Sequence, residues 1–234
     1  NKLDVKELSS FEGKKHTYKS RYTDIKLLSL NPELAELIGI LNGDGTITKS
    51  GLIAITGNQI EDIRHHQLRV KQLIKILFDK GCYQKKVEGN VIKTEFTSLY
   101  ISKQLKNIGL PIGKKDNIRI PQCILNDKSL LKPYLRGLFD TDGTVCRRNK
   151  GNIRVGYGSF KSKDFTEDIF YALKFLGFKS IIFISGDRFR VEINSDIEVI
   201  RFFQEVGSCN YSKIARFVYW MLKHFCPTYA YIRF

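Results

Sequence analysis

The sequence predicts an α+β protein in which one αββαββα unit is written twice. Three observations predict it. Nearly matching corners, NGDGTI at 42–47 and DTDGTV at 140–145, each end an almost unbroken apolar run. Distinctive positions recur at one offset: Gly39 and Gly137, Asp44 and Asp142, Gly45 and Gly143, Gly109 and Gly207, and Lys115 and Lys213 are each 98 residues apart, the self-similarity of an internal repeat. Helical periodicity and strand alternation follow one another in the same order in both copies. The copies run over about 31–125 and 129–226, which divides the chain into a basic, polar extension (1–30), a first subdomain (31–128) and a second subdomain with a C-terminal helix and tail (129–234).

Each element has a local signature. Asn31-Pro32-Glu33 opens the first helix with an Asn N-cap, Pro at the first helical position and an acid in the first turn. Leu34, Leu37, Ile38, Ile40 and Leu41 then cover most of its circumference, the mark of a helix buried on nearly all sides. The second copy offers Pro133 near the helix start, followed by LRGLF. Strand signals come next, TIT and LIAIT in the first copy, TVC and NIRVGYGS in the second. Amphipathic helices are expected near 60–80 and 162–176, with His65 and His66 on the helix surface in reach of a phosphate. Hairpins turn at Gly89-Asn90 and Gly186-Asp187. Shorter helices near 99–108 and 196–206 close the units. The register drifts where loops differ in length: DKGCY at 79–83 matches FLGFK at 175–179 at an offset of 96.

Composition bounds the function. The chain has 234 residues, of which 42% are apolar and 12% aromatic, enough for a sizeable core. Thirty-nine Lys+Arg against 24 Asp+Glu leave a formal charge of +15, an excess that a polyanion would relieve and that makes nucleic acid the leading partner. No run of 18 apolar residues occurs and the first residues lack a signal peptide's apolar core, so a soluble, intracellular protein is expected, in a prokaryotic cytoplasm or an organelle. Five scattered cysteines without a CxxC pair read as reduced, mostly buried thiols rather than a zinc site.

Strand alternation supplies a candidate binding face. In RFRVEIN, Phe189, Val191 and Ile193 point one way and Arg188, Arg190, Glu192 and Asn194 the other; in NIRVGYG, Ile153, Val155 and Tyr157 oppose Asn152 and Arg154. With Lys85 and Lys93 in the first copy and Lys161 in the second, this makes a polar, basic sheet face. A DNA major groove admits such a ribbon, and Arg and Asn read base edges there. The partner expected is double-stranded DNA.

The two corners carry the chemistry. Gly39 and Gly137 lie five residues before their aspartates inside apolar helices, where Gly costs about 1 kcal/mol relative to Ala. Close packing of the two helix backbones would compensate, and Gly45 and Gly143 are expected to end the helices in the left-handed conformation. Such packing delivers Asp44 and Asp142 to one point at two negative helix ends, where both repel. Cations are needed, and hard Mg²⁺, held by carboxylates, waters and substrate phosphates, suits them. Metal there can generate a hydroxide nucleophile and stabilise the leaving oxygen. An EF-hand is excluded, since TVCRR follows DTDG without the spaced oxygen ligands.

At these residues the chain resembles a known family: LIGILNGDG (37–45) and LRGLFDTDG (135–143) are similar to the two LAGLIDADG motifs of single-chain homing endonucleases, and the element order fits over about 31–226. The resemblance implies a pseudo-symmetric duplicate, monomeric, whose antiparallel sheets form a saddle on DNA. It implies Mg²⁺-dependent cutting of both strands at a long, asymmetric site with short 3′ overhangs, in intron homing, with two or three divalent ions and Mn²⁺ able to substitute. Asp44 and Asp142 match the metal-binding acids, with the carbonyls of Gly43 and Thr141 as added ligands. Lys115 and Lys213 fall where the family keeps a basic residue by the scissile phosphates, with Lys114 as a neighbouring candidate. Asn58 or Gln59, and Ser159 or Lys161, are candidates for organising the attacking water. Asn42 departs from the motif position that Asp140 fills, a position that caps the turn. An RNA maturase or a non-cleaving DNA-binding regulator would use the same scaffold, and loss of an acidic corner would favour either; both corners are intact. The chain lacks a Cys or Ser start and a His-Asn end, so a free-standing or intron-encoded protein is expected rather than a protein-splicing element.

Overall fold

A computed structural model describes residues 28–115, 118–147 and 151–225. The extension expected over 1–30 lies outside them except for 28–30. Two helices form the centre. α1 (Pro32–Asp44) starts at Asn31, whose Oδ1 accepts the Leu34 N–H at 2.8 Å. α5 (Lys128–Asp142) starts at Asp127, whose carboxylate accepts the Ser129 N–H at 2.8 Å. Pro133 therefore sits inside α5 rather than near its start: Asp127 is the better cap, and the carbonyl that Pro133 leaves without a donor belongs to exposed Ser129.

Each central helix runs directly into an antiparallel sheet. The first sheet has the order β1-β2-β4-β3, from β1 (Gly45–Ile47), β2 (Leu52–Asn58), β3 (Tyr83–Val87) and β4 (Val91–Thr97). The second has the same order, β5-β6-β8-β7, from β5 (Gly143–Arg147), β6 (Ile153–Phe160), β7 (Ile181–Ser185) and β8 (Arg188–Ile193). Gly89 and Asn90 (φ 80° and 60°) turn one hairpin and Gly186 (φ 60°) the other, the positive φ that such turns require. Ile53, Ile55, Ile92 and Phe96 in one sheet, and Ile153, Val155, Tyr157, Val191 and Ile193 in the other, are buried against helices. The helices that cover them are α2 (Lys71–Phe78), α3 (Leu99–Ile108), α6 (Lys163–Phe175) and α7 (Asp196–Glu205). A short α4 (Gln122–Leu125) links the copies and α8 (Tyr211–Phe225) follows the second.

His65 and His66 are not on the surface: both are 2% exposed. They open a wider, π-helical turn (His65–Val70) ahead of α2, which brings adjacent side chains inward together. His66 Nδ1 lies 2.9 Å from Thr94 Oγ1, and the Gln84 amide donates to both Thr94 Oγ1 (2.9 Å) and the His66 carbonyl (3.0 Å). The cysteines also differ from expectation. Cys82, Cys146 and Cys209 are half-buried and Cys123 exposed, all as free thiols, because they flank the core rather than fill it; Cys226 lies outside the described residues. No helix among the described residues is long and apolar enough to cross a membrane.

Candidate metal centre and nucleic-acid face

The two motif helices touch at their glycines. A Cβ on Gly39 would stand 2.1 Å from the Tyr134 carbonyl oxygen, and one on Gly137 would stand 2.1 Å from the Glu36 carbonyl oxygen. The contact is reciprocal, since Glu36 and Tyr134 each lie three residues before their own helix's glycine. Below it, a Cβ on Gly43 would lie 2.0 Å from Thr141 Oγ1 and 3.0 Å from Asp142 Oδ2. Gly45 and Gly143 are not left-handed, as their motif position suggested, but extended, with φ −82° and −81°. Glycine is required there by space: a Cβ would lie 2.4 Å from Leu41 Cα at one and 2.2 Å from Phe139 Cδ2 at the other.

This packing brings Asp44 and Asp142 together at the ends of α1 and α5. Burial, then the charges of Asp142 and Asp62, push the Asp44 carboxyl up to about 6, against the pull of Lys115 and Lys213. Burial raises Asp142 too, opposed by the same two lysines. Lys115 Nζ donates to the carbonyls of Gly43 (2.5 Å) and Asn42 (3.2 Å); Lys213 Nζ donates to those of Phe139 (2.5 Å) and Thr141 (3.0 Å). Each lysine thus caps the motif helix of its own copy and offsets a negative helix end; the Asn42, Gly43 and Thr141 carbonyls gain a donor, while that of Phe139 also accepts the Gly143 N–H. Burial lowers both lysine pKa values, while the acids oppose the shift. The carbonyls of Gly43 and Thr141, offered to a metal by the motif, accept ammonium groups here. Lys114 is exposed and takes no part.

Other candidates are placed differently. Asn58 caps its own turn: its Oδ1 accepts the N–H groups of Ile60 (2.8 Å) and Glu61 (3.2 Å). Ser159 is exposed in an irregular stretch of β6, where Gly158 has φ 62°, and its carbonyl accepts Arg188 Nη1 at 3.0 Å. Gln59 is half-buried and Lys161 exposed. Asn42 and Asp140 do serve as structural anchors. Buried Asn42 donates to Tyr134 Oη at 2.8 Å. Asp140 accepts the backbone N–H groups of Cys209 (2.9 Å) and Asn210 (3.2 Å).

Asp62, which no motif marks in the sequence, also belongs to the site. Its carboxylate accepts the Asn58 N–H and the Asn210 side-chain amide, each at 2.7 Å. Asn210, fully buried, also donates to the Asp140 carbonyl at 2.9 Å and accepts the Ser212 N–H, so it fixes the start of α8 three residues before Lys213. Glu36, Asp140 and Cys209 also converge, their ligand atoms within 4.8 Å, but Glu36 is held by Arg69 (2.6 Å) and by Arg136. With Asp140 committed to backbone amides, the carboxylates of that cluster are already engaged in a buried hydrogen-bond and ion-pair network.

The sheet faces away from the helices carry the basic residues. In the second sheet Glu192, 3% exposed, lies 3.1 Å from Arg154 Nη1 and 2.6 Å from Arg190 Nε. In the first, Glu95 holds Lys85 at 2.8 Å and Lys93 at 3.0 Å, and these lysines draw its carboxyl below the usual range. Glu95 and Glu192 occupy the same register position, paired with Ala54 and Gly156. A central carboxylate thus holds two cations on each face. Arg188 leans on Ser159, Asn152 is exposed ahead of β6, and Asn194 keeps a buried Oδ1 without a partner among the described residues.

Comparisons with known proteins agree with this architecture. A family model described as a LAGLIDADG-like domain matches residues 129–207. Two curated proteins of Methanocaldococcus jannaschii contain similar segments: a glutamine–fructose-6-phosphate aminotransferase (29% identical, 61% of this chain) and a replication factor C small subunit (30% identical, 65% of this chain). The matches span only 12% and 8% of those relatives' lengths. Among solved structures, the homing endonuclease I-WcaI bound to its DNA recognition sequence has a TM-score of 0.60 at 18% identity, covering 92% of this chain and 97% of that one. I-DmoI in complex with DNA and Mn has 0.54 at 17% (76% and 98%), and the N-terminal LAGLIDADG domain of DUF199/WhiA has 0.54 at 15% (79% and 87%). Residues 129–207 thus match a LAGLIDADG-like domain, and the chain as a whole has the fold of single-chain LAGLIDADG homing endonucleases.

Proposed function

We propose that the chain is a site-specific DNA endonuclease that hydrolyses both strands of a long, asymmetric target with divalent metal, leaving short 3′ overhangs, in the service of intron homing. The observation that carries this reading is the meeting of Asp44 and Asp142, each beside a lysine on its own helix end, half-buried Lys115 and buried Lys213. The acids fit a divalent cation: two partly buried carboxylates at negative helix ends raise each other's energy when ionised, and an all-oxygen donor set suits Mg²⁺, or Mn²⁺ in its place. When bound, the metals would activate a water and stabilise the leaving oxygen.

The chain's own residues do the rest. Asp44 and Asp142 would hold the metal, two or three ions in all, beside the scissile phosphates. The Gly43 and Thr141 carbonyls would add ligands to a bound metal, and Lys115 and Lys213 would supply positive charge near the scissile phosphate. Asn58 and Ser159 border the water's approach. Asn152, Arg154, Arg188, Arg190, Asn194, Lys85, Lys93 and Lys161 form the DNA-facing saddle on double-stranded DNA. Each subdomain, 31–128 and 129–234, supplies one acid, so a monomer acting inside the cell suffices. Segments similar to this chain within two relatives of unrelated named activity suit a mobile element.

A second reading is a DNA-binding protein that does not cut. It is favoured by the WhiA domain, which matches this fold as well as I-DmoI does, so fold alone does not decide. A plasmid library carrying random inserts, incubated with Mg²⁺ or with EDTA, separates the two. Ends mapped to a fixed sequence with Mg²⁺ alone support cleavage, and retention of duplex without any cut under either condition supports the binder.

A further inference from the structure

The two sheets differ in one respect that the repeat makes visible. In the first, Tyr83 and Lys85 of β3 pair with Glu95 and Lys93; in the second, Ile181 and Phe183 of β7 pair with Glu192 and Arg190. The register is the same, so Ile181 and Phe183 stand on the cation-bearing face where the first copy has Tyr83 and Lys85. They are 51% and 45% exposed and contribute nothing to the core, which Ile182 of the same strand joins from the opposite side. Two large apolar side chains on an outer strand are an aggregation liability, and in this chain they sit next to Arg190 and Glu192 of β8. Arg190 lies over the Phe183 ring at 4.8 Å, which fixes the ring within the face.

We infer that Ile181 and Phe183 make the half-site under the second sheet selective for thymine, by packing on 5-methyl groups in the major groove. This rests on the DNA reading above. The major groove offers an apolar group at only one base, the methyl of thymine. Residues two apart on a strand present side chains about 6.7 Å apart, which is about two base-pair steps at roughly 3.4 Å each. The half-site under β7 therefore carries thymines about two steps apart, flanked by positions that Arg190 and Arg154 read. The half-site under β3 has no such requirement, because Lys85 replaces Phe183 and meets phosphate or guanine instead.

Selection of bound duplexes from a randomised DNA pool, followed by replacement of thymine with uracil, tests it. Thymine is expected at two positions of one half-site only. Uracil there should weaken equilibrium binding in EDTA by about four-fold per methyl removed, the factor that burying one such group supplies. Phe183→Ala should abolish one of the two thymine-to-uracil differences, and Phe183→Leu should keep it. Equal binding of thymine and uracil duplexes by the wild-type chain, or an unchanged ratio in Phe183→Ala, overturns the inference while leaving DNA binding standing. Failure to retain any duplex above its single strands overturns the DNA reading and the inference with it.

Discussion

Replacing Gly39 by alanine pits two effects of known size against each other. Alanine is the better helix former by about 1 kcal/mol, so an isolated α1 would gain. In the folded chain the new methyl lies 2.1 Å from the Tyr134 carbonyl oxygen, where ordinary contact starts at 3.4 Å, so α1 and α5 must part by about 1.3 Å. The neighbour is backbone in a packed helix and cannot turn aside. Overpacking costs about 1–3 kcal/mol, and a rigid backbone neighbour at 2.1 Å puts this site at the upper end, so the steric term wins by about 2 kcal/mol and the melting temperature should fall by roughly 4–8 °C for a chain of this size. Activity should suffer more than stability. Asp44 and Asp142 ride on the two helices, and a displacement of about 1 Å at a reacting centre can cost about 100-fold. Thermal unfolding with cleavage assayed well below the transition measures both. Gly81→Ala is the control, since nothing lies within 4 Å of its added Cβ. In the Gly39→Ala/Gly137→Ala pair the second substitution should cost less than alone, because the helices are already apart. A Gly39→Ala chain as stable as the wild type, with full cleavage, would refute the close-packed interface.

Other consequences concern charge. Asp44→Asn should stabilise the metal-free chain at neutral pH by up to about 3 kcal/mol, since a rise of some two pKa units is worth about 1.4 kcal/mol each, while abolishing cleavage; a lower melting temperature in EDTA would contradict this. Between about pH 4 and 6 the folded state binds the Asp44 proton more tightly than the unfolded state, so this group's contribution to stability falls as pH rises. Buried His66, lowered to about 4 by desolvation and by His65, acts in the opposite sense: the unfolded state takes its proton first, and stability is lost as pH falls from about 6.5 to 4. Asp44→Asn should therefore steepen the acid loss of stability and His66→Gln should flatten it, as melting curves across that window would show. Lys213→Met should slow cleavage by about 10²–10³-fold with duplex binding retained; an unchanged rate would remove the lysine from the chemistry. Wild-type affinity should fall roughly 10³–10⁵-fold between 50 and 200 mM salt for 6–10 phosphate contacts, and Glu192→Gln, which frees Arg154 and Arg190, should steepen that slope rather than leave it unchanged.

The repeat was legible because it is written in residues whose spacing survives loop variation. Gly39 with Gly137 announced a close approach, and the 98-residue offset of Lys115 and Lys213 picked Lys115 over Lys114. Both lysines do reach helix-end carbonyls. Gly45 and Gly143 were identified for the wrong reason, since a glycine needed for space and one needed for a positive φ look identical in sequence. His65 and His66 misled because a π-turn breaks the 3.6-residue period on which burial is judged. Glu36 in LAEL gives no local sign of being buried, since its partners Arg69 and Arg136 are 33 and 100 residues away. Asp62 gives no local sign of its role, since the side chain it holds, Asn210, is 148 residues away. Glu95 and Glu192 were findable: each is the one acid within an alternating basic strand, near the same register position.

The paired acids can be tested without knowing the DNA target. Fe²⁺ substituted for the native divalent ion, with peroxide and ascorbate, generates radicals at the metal that cut the nearest backbone, and mass spectrometry maps the cuts. Cleavage at both 43–45 and 141–143, lost at both places together in Asp44→Asn or in Asp142→Asn, is the result predicted. Cuts at only one corner, or around Glu36, Asp140 and Cys209 instead, would show that the two aspartates do not share a metal centre.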